Sequence, residues 1–369
     1  MHIKPGGNPM NMDSYKQLAE RLDALPNGFP PTEDGVELKM LATLYTPEEA
    51  ALAAQLRVTL ETPEEVAQRI EADSHATKKM LKTMSRRGLI RVSRKEKGLV
   101  FGLLPFVVGI YEMQMGKIEP EFAHLFEAYF LEAFGKMLSV QPQVHRVIPV
   151  RESVQAEIEV HPYESASDML DQAKSWGVID CVCRKQKELI GEGCEHPIDV
   201  CLLLHNRPNA YDNHDAIQAL THEEAQATLT RAADAGLVHS VGNNQLGTHY
   251  ICNCCTCSCG ILRGMADLGI ANVVARSAFV NQVDDALCNG CEECVEHCQF
   301  DALALTDACV MPVEQVRCVG RWVCVAFCEE EAMSLVRRPE DEVKAPPQTL
   351  MHWGMERAMA RNLDVSKIL

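Results

Sequence analysis

The strongest constraint in the chain is one run of cysteines, Cys288-Asn-Gly-Cys291-Glu-Glu-Cys294-Val-Glu-His-Cys298. Its C-x2-C-x2-C-x3-C spacing wraps a backbone round a cubane iron–sulfur cluster, so this stretch is expected to fold about a ligand. The pattern returns at Cys318, Arg321, Cys324 and Cys328. The following residues repeat as well, Ala302-Leu303-Ala304-Leu305 being answered by Ala332-Met333-Ser334-Leu335. A duplicated half-domain explains both repeats.

On these residues the stretch 280–338 resembles a bacterial two-cluster ferredoxin domain. In that family the fourth cysteine of each run crosses over to the other cluster. The resemblance implies that Cys288, Cys291 and Cys294 with Cys328 hold one 4Fe-4S cluster, and that Cys318 and Cys324 with Cys298 hold a second. The second set is one thiolate short, because Arg321 stands where the repeat calls for cysteine and a guanidinium offers iron no lone pair. Gln299 and Glu329 also replace the proline that usually follows the fourth cysteine. Three outcomes are open for the second site: a 3Fe-4S cluster on three thiolates, a four-iron cluster with an unusual fourth ligand such as Cys309 or solvent, or no cluster. A fixed positive charge at Arg321 would make any cluster there easier to reduce.

Two further cysteine groups precede this module. Cys181, Cys183, Cys194 and Cys201 lie on a stretch where Gly191 and Gly193 permit sharp turns. Cys252, Cys254, Cys255, Cys257 and Cys259 crowd five thiols into eight residues, and packed thiolates repel unless a cation or cluster neutralises them. Thiolates in fours suit zinc and iron–sulfur ligation equally by count. Each group can bind its own metal, or the two can combine. The neighbouring ferredoxin-like module favours an additional iron–sulfur cluster over zinc. Arg184 and Lys185, directly after Cys183, either compensate cluster charge or are simply solvated.

The chain has 17 cysteines in 369 residues, without an apolar leader or a stretch long enough to span a bilayer. A cytoplasmic location is expected, where thiols stay reduced and close spacings signify metal more often than disulfides. The formal charge of −17 opposes a free-standing nucleic-acid binder and favours basic surfaces on partners. No glycine-rich dinucleotide fingerprint and no phosphate-binding loop is present.

Upstream, Tyr15 to Leu25 has a short helical pattern. Thr46-Pro47-Glu48-Glu49 and Thr62-Pro63-Glu64-Glu65 each supply an N-cap, a proline at the first helical position and an acid at the third. A third helix is expected from Ser74 to Gly88, followed by a hairpin of Leu89–Val92 and Leu99–Leu103. Three helices and a hairpin are the order of a winged helix. Lys78, Lys79, Lys82, Arg86, Arg87, Arg91, Arg94, Lys95 and Lys97 concentrate positive charge there, against Glu96. Such a patch suits an acidic protein surface or, as the rival, DNA. A helix is read over Gly109–Met137, whose aromatic stripe signifies packing, and another over Tyr163–Trp176. Val147–Val150 and Ala156–Val160 read as extended, Thr221 opens a surface helix, and Met351–Ala360 forms a last one. His222, His239 and His249 are read as surface or packing residues.

The fold class is therefore α+β and multidomain: residues 1–27 an extension, 28–108 a winged helix, 109–180 a helical and α/β linker, 181–275 Cys-rich, 276–338 ferredoxin-like, and 339–369 a tail. The whole order resembles uncharacterised anaerobe iron–sulfur proteins with these three parts, a resemblance that implies architecture and no reaction. The function expected is an iron–sulfur protein relaying single low-potential electrons to a flavin or metal oxidoreductase. The alternatives are a redox- or oxygen-sensing DNA-binding regulator and an enzyme using an incompletely ligated cluster.

Overall fold

The structure, a computed structural model, describes residues 9–96, 98–150, 160–212, 214, 216–306 and 311–365. It divides into two compact units, Met1–Val140 with Gly354–Leu369, and Gln141–Trp353. This division is coarser than the six segments read from the sequence.

The first unit runs α1 (Pro9–Asp23), α2 (Val36–Leu44), α3 (Pro47–Ala54), α4 (Pro63–Arg69), α5 (Ser74–Arg86), the hairpin β1 (Arg91–Lys95) and β2 (Gly98–Gly102), and α6 (Pro120–Glu132). Both Thr-Pro-Glu-Glu signals form complete capping boxes, Thr46 with Glu49 and Thr62 with Glu65. Helix α2 had no sequence signal because its N-cap is Gly35, which offers no side-chain cap. Residues 1–27, expected as an extension, include α1, which buries Tyr15, Leu18 and Leu22. The first hairpin strand begins at Arg91 rather than Leu89 and the second at Gly98 rather than Leu99, with Lys95 pairing Gly98, whose φ is +109°.

The helix read over Gly109–Met137 is broken. Gly116 turns at φ +72° and Pro120 starts α6 afresh, so the segment divides into short 3-10 turns on either side of one true helix. Its aromatic stripe does form core, Tyr111 stacking on Phe126 at 4.0 Å and Phe29 lying 5.0 Å from Tyr129. Leu131 is the exception, pointing out at 51% exposure.

The second unit contains β3 (His145–Val147), α7 (Ala166–Gln172), β4 (Ser175–Ile179), α8 (Val182–Leu189), β5 (Cys201–His205), β6 (Gln218–Leu220), α9 (His222–Asp234), β7 (Val238–Gly242), β8 (Tyr250–Cys254), α10 (Arg263–Ala266) and β9 (Val274–Ala275). Its ferredoxin-like part follows as β10 (Phe279–Val283), α11 (Glu293–Glu296), α12 (Val323–Ala326) and β11 (Met333–Arg337), before α13 (Leu350–Ala360). The helix expected to reach Trp176 stops at Gln172, since Ser-Trp-Gly-Val-Ile is drawn into strand pairing with β5. Ala156–Glu159, read as extended, lies outside the described residues. In the first unit, the C-terminal part of α13 is anchored by buried Arg357, which donates to the carbonyls of Pro26 (2.9 Å), Met137 (2.9 Å) and Val140.

Among the described residues the large sheet has seven strands in the order β6-β4-β5-β8-β7-β3-β9. Alternation along its strands decides where the thiols go. Leu202, Leu204 and Ile251 turn to the face packed with Leu170, Ala225 and Leu229, beneath α7 and α9. Cys201, Cys252 and Cys254 consequently share the opposite face. The registers Ile179 to Cys201 and Val238 to Cys254 bring the end of β4, the start of β5 and the end of β8 to one edge. The chain leaves β4 there directly into Cys181 and α8, the Cys181 N–H donating to Ile198 O at 2.8 Å.

Candidate metal centres

The ferredoxin-like module is a pair of equivalent halves closed by the antiparallel β10–β11 pair, with Phe279 opposite Arg337. A helical turn of four residues, α11 or α12, lies within each cysteine run and buries Cys294 or Cys324. Cys288, Cys291, Cys294 and Cys328 line one cavity together with Val283, Met311 and Met333. Cys298, Cys318 and Cys324 line a second with Asn281, Phe300 and Arg321. Cys328 thus lines the cavity of the first run, and Cys298 that of the second.

Residues 282–304 match the 4Fe-4S binding domain. No curated protein and no solved structure matches the chain. The match spans Cys288, Cys291, Cys294 and Cys298, and it stops before the half that carries Arg321.

In the first set of the 4Fe-4S domain, burial pushes the Cys294 thiol up to about 11, and the neighbouring Cys291, Cys328 and Cys288 add to the effect. Thiols so placed ionise together only around a cation, which is the condition an iron–sulfur cluster supplies. The donor set fits the group.

At the second set, burial pushes the Cys324 thiol up to about 12, while the charge of Arg321 works against that rise. Arg321 is only 3% exposed. Its guanidinium donates to Gly236 O at 2.8 Å and to His297 O, and lies 5.5 Å from the Phe300 ring centre. Asn281 Nδ2 donates to Cys324 Sγ at 3.1 Å, and the Ala302 N–H donates to Cys298 Sγ at 3.3 Å. Asn281 Oδ1 is buried in this cavity without a hydrogen-bond partner. Three thiols therefore fit iron here, the repeat's fourth position is Arg321, which cannot ligate, and Asn281 also lines the cavity. Cys309, considered from sequence as a substitute ligand, lies outside the described residues.

The middle cysteines regroup in a way the order of the chain does not announce. Cys181, Cys183, Cys194 and Cys201 do not come together as one foursome. The Cys183 thiol interacts with Cys181 and Cys259, Cys259 with Cys254, Cys254 with Cys252, and Cys252 with Cys201. Cys194 instead joins Cys255 and Cys257, and the added member is His196. The two cysteine groups of the sequence thus mix: Cys181, Cys183, Cys259, Cys254, Cys252 and Cys201 are successive neighbours, and Cys194, His196, Cys255 and Cys257 form a compact four-donor cluster.

In that four-donor cluster the Cys255 thiol is held at about 3, chiefly by the hydrogen bond from Cys257, with His196 and Arg184 reinforcing it against burial. Arg184 resolves the choice between charge compensation and solvation. It is buried, donates to Pro197 O (2.8 Å) and Asn253 O (2.7 Å), and stays charged because Cys181, Cys255 and Cys254 outweigh the cost of burial. Lys185 pairs with Glu188 at 2.8 Å with its side chain 40% exposed.

Two residues that depart from the ferredoxin pattern, Gln299 of the first half and Arg321 of the second, bond this region of the chain. Gln299 Oε1 accepts from the Thr256 N–H at 2.9 Å, and Gln299 Nε2 donates to Gly236 O at 2.6 Å. Trp322 Nε1 donates to His239 Nε2 at 3.4 Å, while His239 Nδ1 meets Asn253 Oδ1 at 2.6 Å. His239 is thus a packing residue, its pKa lowered by burial to about 4. His222 is a half-exposed one, paired with Asp171 at 2.8 Å. Two site residues were missed from sequence. His196 had a signal, its place two residues after Cys194; Asn281 had none.

Proposed function

We propose that the chain is an iron–sulfur electron-transfer protein that relays single electrons to a redox partner protein. Cys288, Cys291, Cys294 and Cys328 are the ligands of its first cluster, and Cys298, Cys318 and Cys324 the ligands of its second. The observation that carries this reading is the packing between the two sets. Cys294 and Cys324 belong to one apolar group with Leu303, Met311 and Met333, and Cys288, Cys298 and Cys328 border it. Clusters whose ligands share one apolar group would be direct neighbours, the arrangement a relay of single electrons requires.

The two ends of this path differ. Cys291 is exposed and flanked by the exposed acids Glu292, Glu293 and Glu296, which suits docking to a basic patch on a flavin or metal oxidoreductase. In the second set Cys318 and Cys324 are buried, and we assign the six middle cysteines Cys181, Cys183, Cys201, Cys252, Cys254 and Cys259 to a further cluster. The described cysteines are all free thiols, in keeping with a reducing cytoplasm, and no described helix is long and apolar enough to cross a membrane.

The test is anaerobic purification with iron and sulfide quantification, and EPR before and after dithionite. Iron with matching sulfide and a spectrum that changes on reduction is expected. A folded protein lacking sulfide overturns the reading.

A second reading rests on the first unit. Lys78, Lys79, Lys82, Arg86, Arg91, Arg94 and Lys95 are all exposed along α5 and the hairpin, as a winged helix contacting DNA requires. Arg87 is half-buried and paired with Glu49 at 2.7 Å. Binding to duplex DNA that weakens steeply with salt would favour a redox-responsive regulator, and no shift at low salt would remove it.

A further inference from the structure

We propose that Cys194, His196, Cys255 and Cys257 form a mononuclear tetrahedral zinc site, distinct from every iron–sulfur site of the chain. Their ligand atoms all lie within 4.8 Å of one another, and no other group of three or more such residues is as compact among the described residues. A zinc ion with Zn–S near 2.3 Å and Zn–N near 2.05 Å has tetrahedral edges of about 3.8 Å between sulfurs and about 3.6 Å between sulfur and nitrogen. The structure has Cys194 Sγ to Cys255 Sγ at 3.9 Å and Cys257 Sγ to His196 Nδ1 at 3.6 Å. One small ion fills that space. A cubane does not, because its thiolates must stand apart by the width of the cluster.

The surroundings complete the site. Ser258 Oγ lies 3.3 Å from Cys194 Sγ, where its hydroxyl can donate to a thiolate. Three thiolates and a dication leave one negative charge, and buried Arg184 stands between the two ligand loops, bonded to Pro197 O beside His196 and to Asn253 O. Mixed sulfur and nitrogen ligation suits zinc, and four protein ligands leave no open position, which marks the site as structural. Adjacent residues then serve different sites: Cys254 neighbours Cys252 and Cys259, and Cys255 goes to zinc.

Zinc at this place staples the loop at 194–197 to the loop at 255–257. The second loop carries Thr256, the backbone donor to Gln299. The ion therefore holds the loop that meets the ferredoxin-like module at Gln299. This assignment stands on its own donor geometry and does not depend on electron transfer.

The full chain, purified without oxygen, is analysed for zinc and iron and by X-ray absorption at the zinc edge. One zinc per chain with three sulfur neighbours and one nitrogen neighbour is expected. His196→Ala and Cys257→Ser are expected to release that zinc while iron and sulfide are retained. Should either variant fail to fold, the wild-type absorption spectrum decides. Wild-type protein without zinc, zinc with only oxygen or nitrogen neighbours, or iron lost from Cys257→Ser while zinc remains, overturns the assignment. Missing iron with zinc in place would sink the electron-transfer reading and leave this one intact.

Discussion

Cys291 and Arg321 occupy equivalent places in the two halves of the ferredoxin-like module, yet Cys291 is exposed and Arg321 is 3% exposed. The neighbouring glycines tell the same story. Gly290 and Gly320 both adopt positive φ, +75° and +71°, but a methyl group on Gly290 would meet only Leu305 at 3.5 Å, whereas one on Gly320 would sit 2.0 Å from Phe279 O. One half keeps its ligand loop open to solvent. The other spends the equivalent position on burial, exchanging a thiolate for a guanidinium that bonds Gly236 O. A duplicated unit can thus keep its backbone while one copy becomes the outward face and the other the inward joint.

The largest effect that would break this comparison comes from the thiols themselves. Cys294→Ser is expected to remove the first cluster, a loss of about four irons per chain, whereas Cys324→Ser should empty only the second set. Iron and sulfide quantification decides, and loss of all the iron from Cys294→Ser would show that the halves do not load independently.

The glycines give the next effect. Gly290→Ala is expected to cost about 1 to 2 kcal/mol from its left-handed backbone alone. Gly320→Ala adds a clash with backbone and should exceed that by about 2 kcal/mol or prevent folding. Denaturant unfolding under anaerobic conditions measures both, and equal costs would mean that the second half is no more tightly packed than the first.

Arg321→Cys would make the halves alike in ligands. The second site is expected to take up a fourth iron and to become harder to reduce, because a positive charge is replaced by a thiolate. Anaerobic redox titration followed by EPR checks it, and an unchanged potential would show that Arg321 does not tune the site.

The smallest effect concerns the docking side. Gln299→Ala removes the acceptor for the Thr256 N–H and the donor to Gly236 O, at an expected cost of about 1 to 2 kcal/mol in stability. Iron content should stay unchanged, and a loss of iron would make Gln299 part of the cluster site.

Much of the module was legible because its ligands are local. Closely spaced cysteines can reach one cluster from a single loop, so spacing marked the runs Cys288 to Cys298 and Cys318 to Cys328, while the crossing of Cys298 and Cys328 came from the ferredoxin resemblance. The capping boxes at Thr46, Thr62 and Thr221 were legible for the same reason, each being a bond across three residues. Helix α2 and the broken helix after Gly109 were less so, since a glycine cap and a mid-segment turn carry no periodic signal.

Sequence by itself determined that this chain carries cysteine runs suited to iron–sulfur clusters, a repeat with one ligand replaced, and helices that begin at Thr46 and Thr62. Only the tertiary structure decided that Cys194 leaves its neighbours for Cys255, Cys257 and His196, and that Cys181 and Cys183 face Cys254 and Cys259. The reason is strand register. Which face of β5 and β8 a cysteine occupies follows from alternation, but which cysteines meet across some sixty residues of chain depends on the pairing of Ile179 with Cys201 and of Leu202 with Ile251, and no local spacing encodes that.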